Sequence, residues 1–254
     1  MKILEAANKN FRSGRLRTIV RSLFHALITT RIFLKFAAVI LRWEANKCNS
    51  IDDFVDLTFN IFNIFPFKLW SIRHGQVKEE IMELLKILAK RRPKFILEIG
   101  TARGGTLFLF SRGSSSHARI ISIDLPGGKF GGGYPKWKIP IYESFAIHKQ
   151  KIHLIRGDSH APNTRSMAEK VLKGQKLDFL FIDGDHNGVK TDFEMYGKLV
   201  SKGGIIAFHD IVPGPPENIG DVPRFWNEIK HNFSYIELVK NWKQGGYGIG
   251  VIYV

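Results

Sequence analysis

The chain has one cysteine in 254 residues, Cys48. That excludes an internal disulfide framework and a cysteine-rich zinc site, and it fits a reducing compartment, so a cytoplasmic location is expected. Acids are also scarce: 23 Asp/Glu face 38 Lys/Arg, a formal net charge of +15. The shortage is concentrated in residues 1–47, where ten Lys/Arg meet only Glu5 and Glu44. Long hydrophobic runs are missing as well. The most apolar stretch, 23–41, is broken by His25, Thr29, Thr30, Arg31 and Lys35, which argues against a spanning helix. A secretory signal fits poorly, because residues 1–22 precede that stretch and no small-residue cleavage site follows it.

A basic surface attracts nucleic acid, anionic lipid or an acidic substrate, and net charge does not choose among them. On one continuous helical wheel Arg17, Arg21, Arg31, Lys35 and Arg42 fall within about 80°. That is the pattern of a peripheral helix on the anionic inner face of a membrane, although Phe24 and Ile28 intrude on it. The plainer expectation is that the apolar side packs on the rest of the chain, or on a second subunit in a homo-oligomer. Nucleic acid is not the expected partner.

What the sequence does have is a 44% hydrophobic fraction, enough for one α/β domain preceded by an extension. Residues 1–75 read as a basic helical extension with a lid in 51–75, and residues 76–254 as the main domain. Within the extension, 51–67 is rich in Phe and Ile and ends at Pro66, predicting a short helix and a turn. Val77, Ile81, Leu84, Leu85 and Leu88 predict an amphipathic helix over 76–90. Strands are expected at 95–99, 119–123, 152–156, 178–182 and 204–208, with helices near 105–112, 162–173 and 188–200, the alternation of a parallel doubly wound sheet. A helix over 222–233 follows. Strands at 235–239 and 247–254, joined by a short turn at Lys243-Gln-Gly-Gly246, predict a closing antiparallel hairpin. The glycine-rich loop 125–134, with Pro135-Lys-Trp-Lys138 after it, is expected to wall the active site.

The strand at 95–99 runs into Gly100-Thr-Ala-Arg-Gly-Gly-Thr106, a glycine turn opening a helix, where bare backbone and unpaired N–H groups can meet a ligand. Ligands in open parallel sheets sit beyond the carboxyl ends of the strands. The acids fall there: Asp124 after the second strand, suited to the two ribose hydroxyls of a nucleoside; Asp158 after the third, suited to border an adenine; Asp183 after the fourth; Asp210 after the fifth. Glu98 is expected to be buried and to need backbone or ligand donors. A nicotinamide dinucleotide, and with it an oxidoreductase, is the rival reading, disfavoured by Ala102 at the position where the pyrophosphate needs glycine. S-adenosylmethionine has no phosphate and tolerates the change. The expected cofactor contacts are Glu98, Gly100, Thr101, Ala102, Gly104, Asp124, Asp158 and Asp183.

Glu98-Ile-Gly-Thr-Ala-Arg-Gly-Gly-Thr106, Ile121-Ser-Ile-Asp-Leu-Pro126, Gly157-Asp158, Phe181-Ile-Asp-Gly-Asp-His186 and Gly203-Gly-Ile-Ile-Ala-Phe-His-Asp210 occur in order. On these residues the sequence resembles the class I S-adenosylmethionine-dependent methyltransferases, in the branch with cephalosporin-hydroxylase-like proteins and the macrocin and sugar O-methyltransferases. The resemblance covers 76–254. It implies a Rossmann-like seven-stranded sheet with a reversed last strand, and methyl transfer to a hydroxyl of a small molecule or glycan. In the sugar O-methyltransferases an acid after the fourth strand and an acidic pair after the fifth hold magnesium; those positions match Asp183, His209 and Asp210. His209 departs from the acidic pattern and suits zinc, manganese or iron better.

A hydroxyl acceptor needs a base or a metal. Asp183, His186 and Asp210 are the expected catalytic residues, with His186 taking the proton. The competing expectation has Asp185 capping the next helix and His186 packing on the loop after the fifth strand. Asp192 and Glu194 are expected as solvated charges, Phe225 and Trp226 as core, and the proline-rich 211–218 as a wall of the acceptor pocket. A non-catalytic RNA- or lipid-binding module on the same fold is the remaining alternative.

Overall fold

The structure is a computed structural model that describes residues 18, 22–62, 70–128 and 132–254. Its N-terminal helices are α1 (Ser22–Ile28), α2 (Arg31–Ala45) and α3 (Ile51–Asn60). The chain bends by 65° between α1 and α2, at Thr29–Thr30. That break overturns the expectation of one continuous wheel, and Arg17 and Arg21 of the basic arc lie outside the described residues. Ser50 starts α3 with a capping box, its hydroxyl accepting from the Asp53 N–H while the Asp53 carboxylate receives the Ser50 N–H.

The main domain begins with α4 (Lys78–Arg91), which buries Ile81, Leu84, Leu85 and Leu88 along one face. Then come β1 (Phe95–Ile99), α5 (Gly105–Gly113), β2 (Arg119–Asp124), α6 (Ile139–Glu143), β3 (Lys151–Arg156), α7 (Pro162–Leu172), β4 (Leu177–Ile182), α8 (Val189–Tyr196), β5 (Val200–His209), α9 (Pro216–Ile219), α10 (Val222–Ile229), β6 (Ser234–Leu238) and β7 (Ile249–Tyr253). The described strands form one seven-stranded sheet in the order β3-β2-β1-β4-β5-β7-β6. β1 to β5 are parallel, and β7 lies antiparallel between β5 and β6. This reversed strand separates the fold from a dinucleotide fold that continues in parallel.

Alternation along the strands divides the apolar residues between two cores. Ile96, Ile120, Phe179 and Phe181 pack with α4 and α5 on one face; Leu97, Ile121, Leu180 and Ile206 pack with α7, α8 and α10 on the other. Leu34, Ala37 and Leu41 of α2 and Val55 of α3 share the first core. The described part of the extension therefore packs as part of the domain rather than as a separate unit.

Three places differ from expectation. Residues 139–143, to which no element was assigned, form α6, because Ile141, Tyr142 and Phe145 are buried in the core shared with α2 and α5. The helix expected near 188–200 is α8 continued by a 3-10 turn at Gly197–Leu199, but β5 starts at Val200, ahead of the expected 204. The final hairpin is closed by residues 239–248, not by a tight turn. Glu80 of α4 holds this connection: its buried carboxylate accepts from the Lys240 N–H (2.9 Å), the Gly248 N–H (2.9 Å) and the Gln244 side chain (2.7 Å). Glu80→Ala removes the acceptor and leaves buried donors unpaired. It should lower unfolding free energy by about 2–4 kcal/mol in denaturant titration.

Candidate active site

β1 enters the glycine turn at Ile99, and the sheet's hydrogen bonding continues past the strand ends: Gly100 N–H donates to the Ile123 carbonyl and Asp183 N–H to the Ile99 carbonyl, both 2.9 Å. A Cβ on Gly100 (φ +97°) would lie 1.9 Å from the Asp183 carbonyl oxygen, and one on Gly105 2.4 Å from the Ile72 carbonyl oxygen. The protein's own packing already requires these glycines, and Gly100 also lines the cavity described below. Ala102 holds a left-handed φ of 43°. Both sides of it are pinned: its N–H donates to Asp124 Oδ2 (2.7 Å), and its carbonyl accepts from the Tyr142 hydroxyl (3.0 Å).

A cavity of about 390 Å³ opens beyond the carboxyl ends of β1, β2, β3 and β4, around the point where strand order reverses. Gly100, Ala102, Asp124, Asp158, His160 and Asp183 are among its walls. Asp124 is buried beside it and also accepts from the Gly133 N–H (2.8 Å), which ties down the glycine-rich loop; Lys129, Phe130 and Gly131 of that loop lie outside the described residues. Burial pushes the Asp124 carboxyl above its ordinary range, against the Gly133 and Ala102 N–H bonds that favour the anion. Asp158 sits exposed on the rim and accepts from the His160 N–H (2.9 Å).

Glu98, Thr101 and Gly104, expected at the cofactor, do not line the cavity. Glu98 is fully buried and takes hydroxyl donors from Thr106 and Ser122; Thr101 pairs with the same Ser122. Gly104 abuts the Tyr142 ring. Asp192 is a second correction, since it is fully buried rather than solvated, with Oδ1 3.4 Å from His160 Nε2; Glu194 is exposed as expected. Asp185 Oδ1 accepts from the Asn187 N–H (3.1 Å), a turn leading into α8.

At the cavity's β4 side, Asp183, His186, His209 and Asp210 come together. His209 Nδ1 is 3.0 Å from Asp183 Oδ1 and 3.3 Å from Asp210 Oδ2. His186 Nε2 lies 3.7 Å and 3.5 Å from the same two oxygens, and its Nδ1 bonds the Asn218 carbonyl of α9. His186 therefore packs on the loop after β5, as the plainer expectation has it, with Nε2 facing the two carboxylates. Asp210 takes a left-handed φ of 62° and accepts from the Tyr247 N–H (2.8 Å), which turns its carboxylate inward. Burial opposes ionisation of Asp183, but the His209 charge and the bonds from His186 and His209 hold its carboxyl below the usual range. Burial likewise opposes charge on His209, and Asp183 with Asp210 overcomes it, raising its pKa well above the ordinary value.

Sequence reasoning missed two contributors from the segment before α4. Gln76 Nε2 donates to Asp183 Oδ2 (2.8 Å), and His74 Nδ1 accepts from the Gln76 N–H (3.1 Å). Burial, and then the neighbouring His209, lower the His74 pKa to about 4. Nothing in the local pattern marks either residue. Asp183 Oδ1, His209 Nδ1 and Asp210 Oδ2 are the donor set that suits a cation, with one ligand atom from each residue within 4.8 Å of the others. His209 Nε2 is buried without a protein partner. Two carboxylates and an imidazole fit manganese, zinc or iron better than an all-oxygen magnesium site.

Residues 97–211 match the family model described as a methyltransferase domain. The sheet, with its reversed strand, has the Rossmann-like fold of the class I methyltransferases. Over 116 residues it is 34% identical to an uncharacterized protein of Acanthamoeba polyphaga mimivirus, a match spanning 45% of this chain and 50% of that relative. Among solved structures, the O-methyltransferase of tomaymycin synthesis from Streptomyces achromogenes, in complex with S-adenosylmethionine, superposes with TM-score 0.54 at 15% identity, covering 82% of this chain and 90% of its own. The Bacillus cereus O-methyltransferase in complex with S-adenosylhomocysteine does so at 0.53 and 17%, covering 87% and 100%. Likeness at such identities speaks for the fold.

In β1, burial pushes the Glu98 carboxyl from its ordinary 4.5 up to about 8, against the Thr106 and Ser122 bonds. Because the folded value lies above the unfolded one, Glu98 favours the folded state most below its unfolded pKa, and this contribution is lost as pH rises through the folded value. Glu98→Gln should fold and should flatten the fall in melting temperature between about pH 5 and about pH 8.

Proposed function

We propose that the chain transfers a methyl group from S-adenosylmethionine to an oxygen of a small molecule or glycan. The observation that carries this reading is that one cavity joins Asp124 and the pinned Ala102 turn to Asp183, and Asp183 belongs to the His186-His209-Asp210 cluster. The end at Asp124 and Ala102 suits a nucleoside with an amino acid tail; the end at Asp183 suits a hydroxyl that must lose a proton. The tomaymycin-pathway and Bacillus cereus enzymes, described as O-methyltransferases with S-adenosylmethionine and S-adenosylhomocysteine, support the same assignment.

S-adenosylmethionine supplies, when bound, a methyl group made electrophilic by its sulfonium. Asp124 keeps a free lone pair on each oxygen for the ribose hydroxyls, since each already receives one backbone N–H. The acceptor oxygen attacks in line, forming its bond to carbon as the carbon–sulfur bond breaks, so fixing its position supplies much of the rate. Its proton goes to His186 Nε2, where Asp183 and Asp210 stabilise the resulting charge. A divalent cation would be held by Asp183, His209 and Asp210, and would supply Lewis acidity that lowers the acceptor's pKa.

Calorimetry separates these roles. Asp124→Ala should weaken S-adenosylhomocysteine binding by about 10- to 100-fold, whereas Asp210→Ala should leave it near wild type and abolish turnover. Equal loss of affinity in both would contradict the division of roles. Manganese added to the wild type should raise its melting temperature, and Asp210→Asn should remove that shift; a shift unchanged in the variant would place the metal elsewhere.

A further inference from the structure

α2 is apolar on two opposite faces. Leu34, Ala37, Leu41 and Ala45 are buried in the domain. On the other side Ile32 (78% exposed), Phe36 (55%), Val39 (61%) and Trp43 (60%) recur at helical spacing and face solvent. A ridge this size is beyond the scattered single apolar residues of an ordinary surface. It is also held still: Arg42 Nε donates to the Ser144 carbonyl after α6 (3.4 Å), and Trp70 Nε1 donates to the Ile28 carbonyl at the end of α1 (3.1 Å).

The charges along one flank of the ridge are all positive. Arg31, Lys35 and Arg42 are exposed along one flank of α2; Glu44, the one acid in the helix, is paired with Lys47 (2.9 Å), which lies over the Trp43 ring. A second copy docked through the same face would bring like charges together, with little to offset them. Anionic lipid supplies the missing counter-charge, and the depth of an interface accommodates bulky apolar side chains, Trp included. No single described helix is long and apolar enough to cross a membrane. We propose that α2 docks this chain in the plane of an anionic bilayer, its Ile32-Phe36-Val39-Trp43 ridge among the acyl chains and Arg31, Lys35 and Arg42 on headgroup phosphates.

The inference is independent of the methyl-transfer reading. It is tested by sedimenting the full chain with vesicles of phosphatidylcholine, with and without phosphatidylglycerol. The wild type should pellet with the phosphatidylglycerol vesicles, less so as salt rises, and remain in solution with phosphatidylcholine alone. Phe36→Ser with Trp43→Ser should lower vesicle affinity by at least about 10-fold at unchanged melting temperature. Arg31→Glu with Lys35→Glu should remove the preference for phosphatidylglycerol. Vesicle binding that survives the ridge substitutions would overturn the proposal. So would a wild type that ignores vesicles but scatters as a dimer, with the ridge variant a monomer, because a second copy then covers the face.

Discussion

Asp183 closes β4, and three separate parts of the chain meet on it. Its side chain receives Gln76 from the segment before α4 and His209 from the end of β5, while its backbone carbonyl presses against Gly100 of the cofactor turn. The adjacency of β1, β4 and β5 makes this possible, since parallel strands deliver their carboxyl ends to one edge of the sheet. Neither the cavity nor the acid–histidine cluster could keep its shape if that junction loosened. Two carboxylates so close are tolerable because His209 stands against both with opposite charge.

Around this junction strain and burial are local and compensated. Ala102 and Asp210 adopt left-handed backbone, and in each case a hydrogen bond fixes the residue: Ala102 to Asp124, Asp210 to Tyr247. Strain held at two sites that flank one cavity is what a preorganised site requires. Glu98 lies one layer behind, bonded to hydroxyls and kept largely neutral by burial, so it shapes the turn without adding a charge to the cavity.

Much of the sheet was legible in the sequence because β1, β2 and β4 are short, nearly continuous apolar runs ending in an acid or a glycine. The same property placed Asp124, Asp183 and Asp210 at strand ends. Residues whose roles depend on distant partners were not legible. Glu80 meets a loop 160 or more positions away, Gln76 meets Asp183 across 107, and Asp192 is drawn inward by His160 on another loop. The packing need of the turn glycines was not legible either, because sequence does not show the Asp183 and Ile72 carbonyls that abut Gly100 and Gly105. α2 exposes a further limit: a helix apolar nearly all round does not declare which side the domain covers.

The central claim is that one cavity holds the methyl donor with its reactive end beside the acid–histidine cluster. A crystal structure of the complex with S-adenosylhomocysteine tests it most directly. The account predicts the ribose diol on Asp124 and the sulfur directed toward Asp183 and His186. A ribose bound elsewhere, with Asp124 touching only protein, would contradict it.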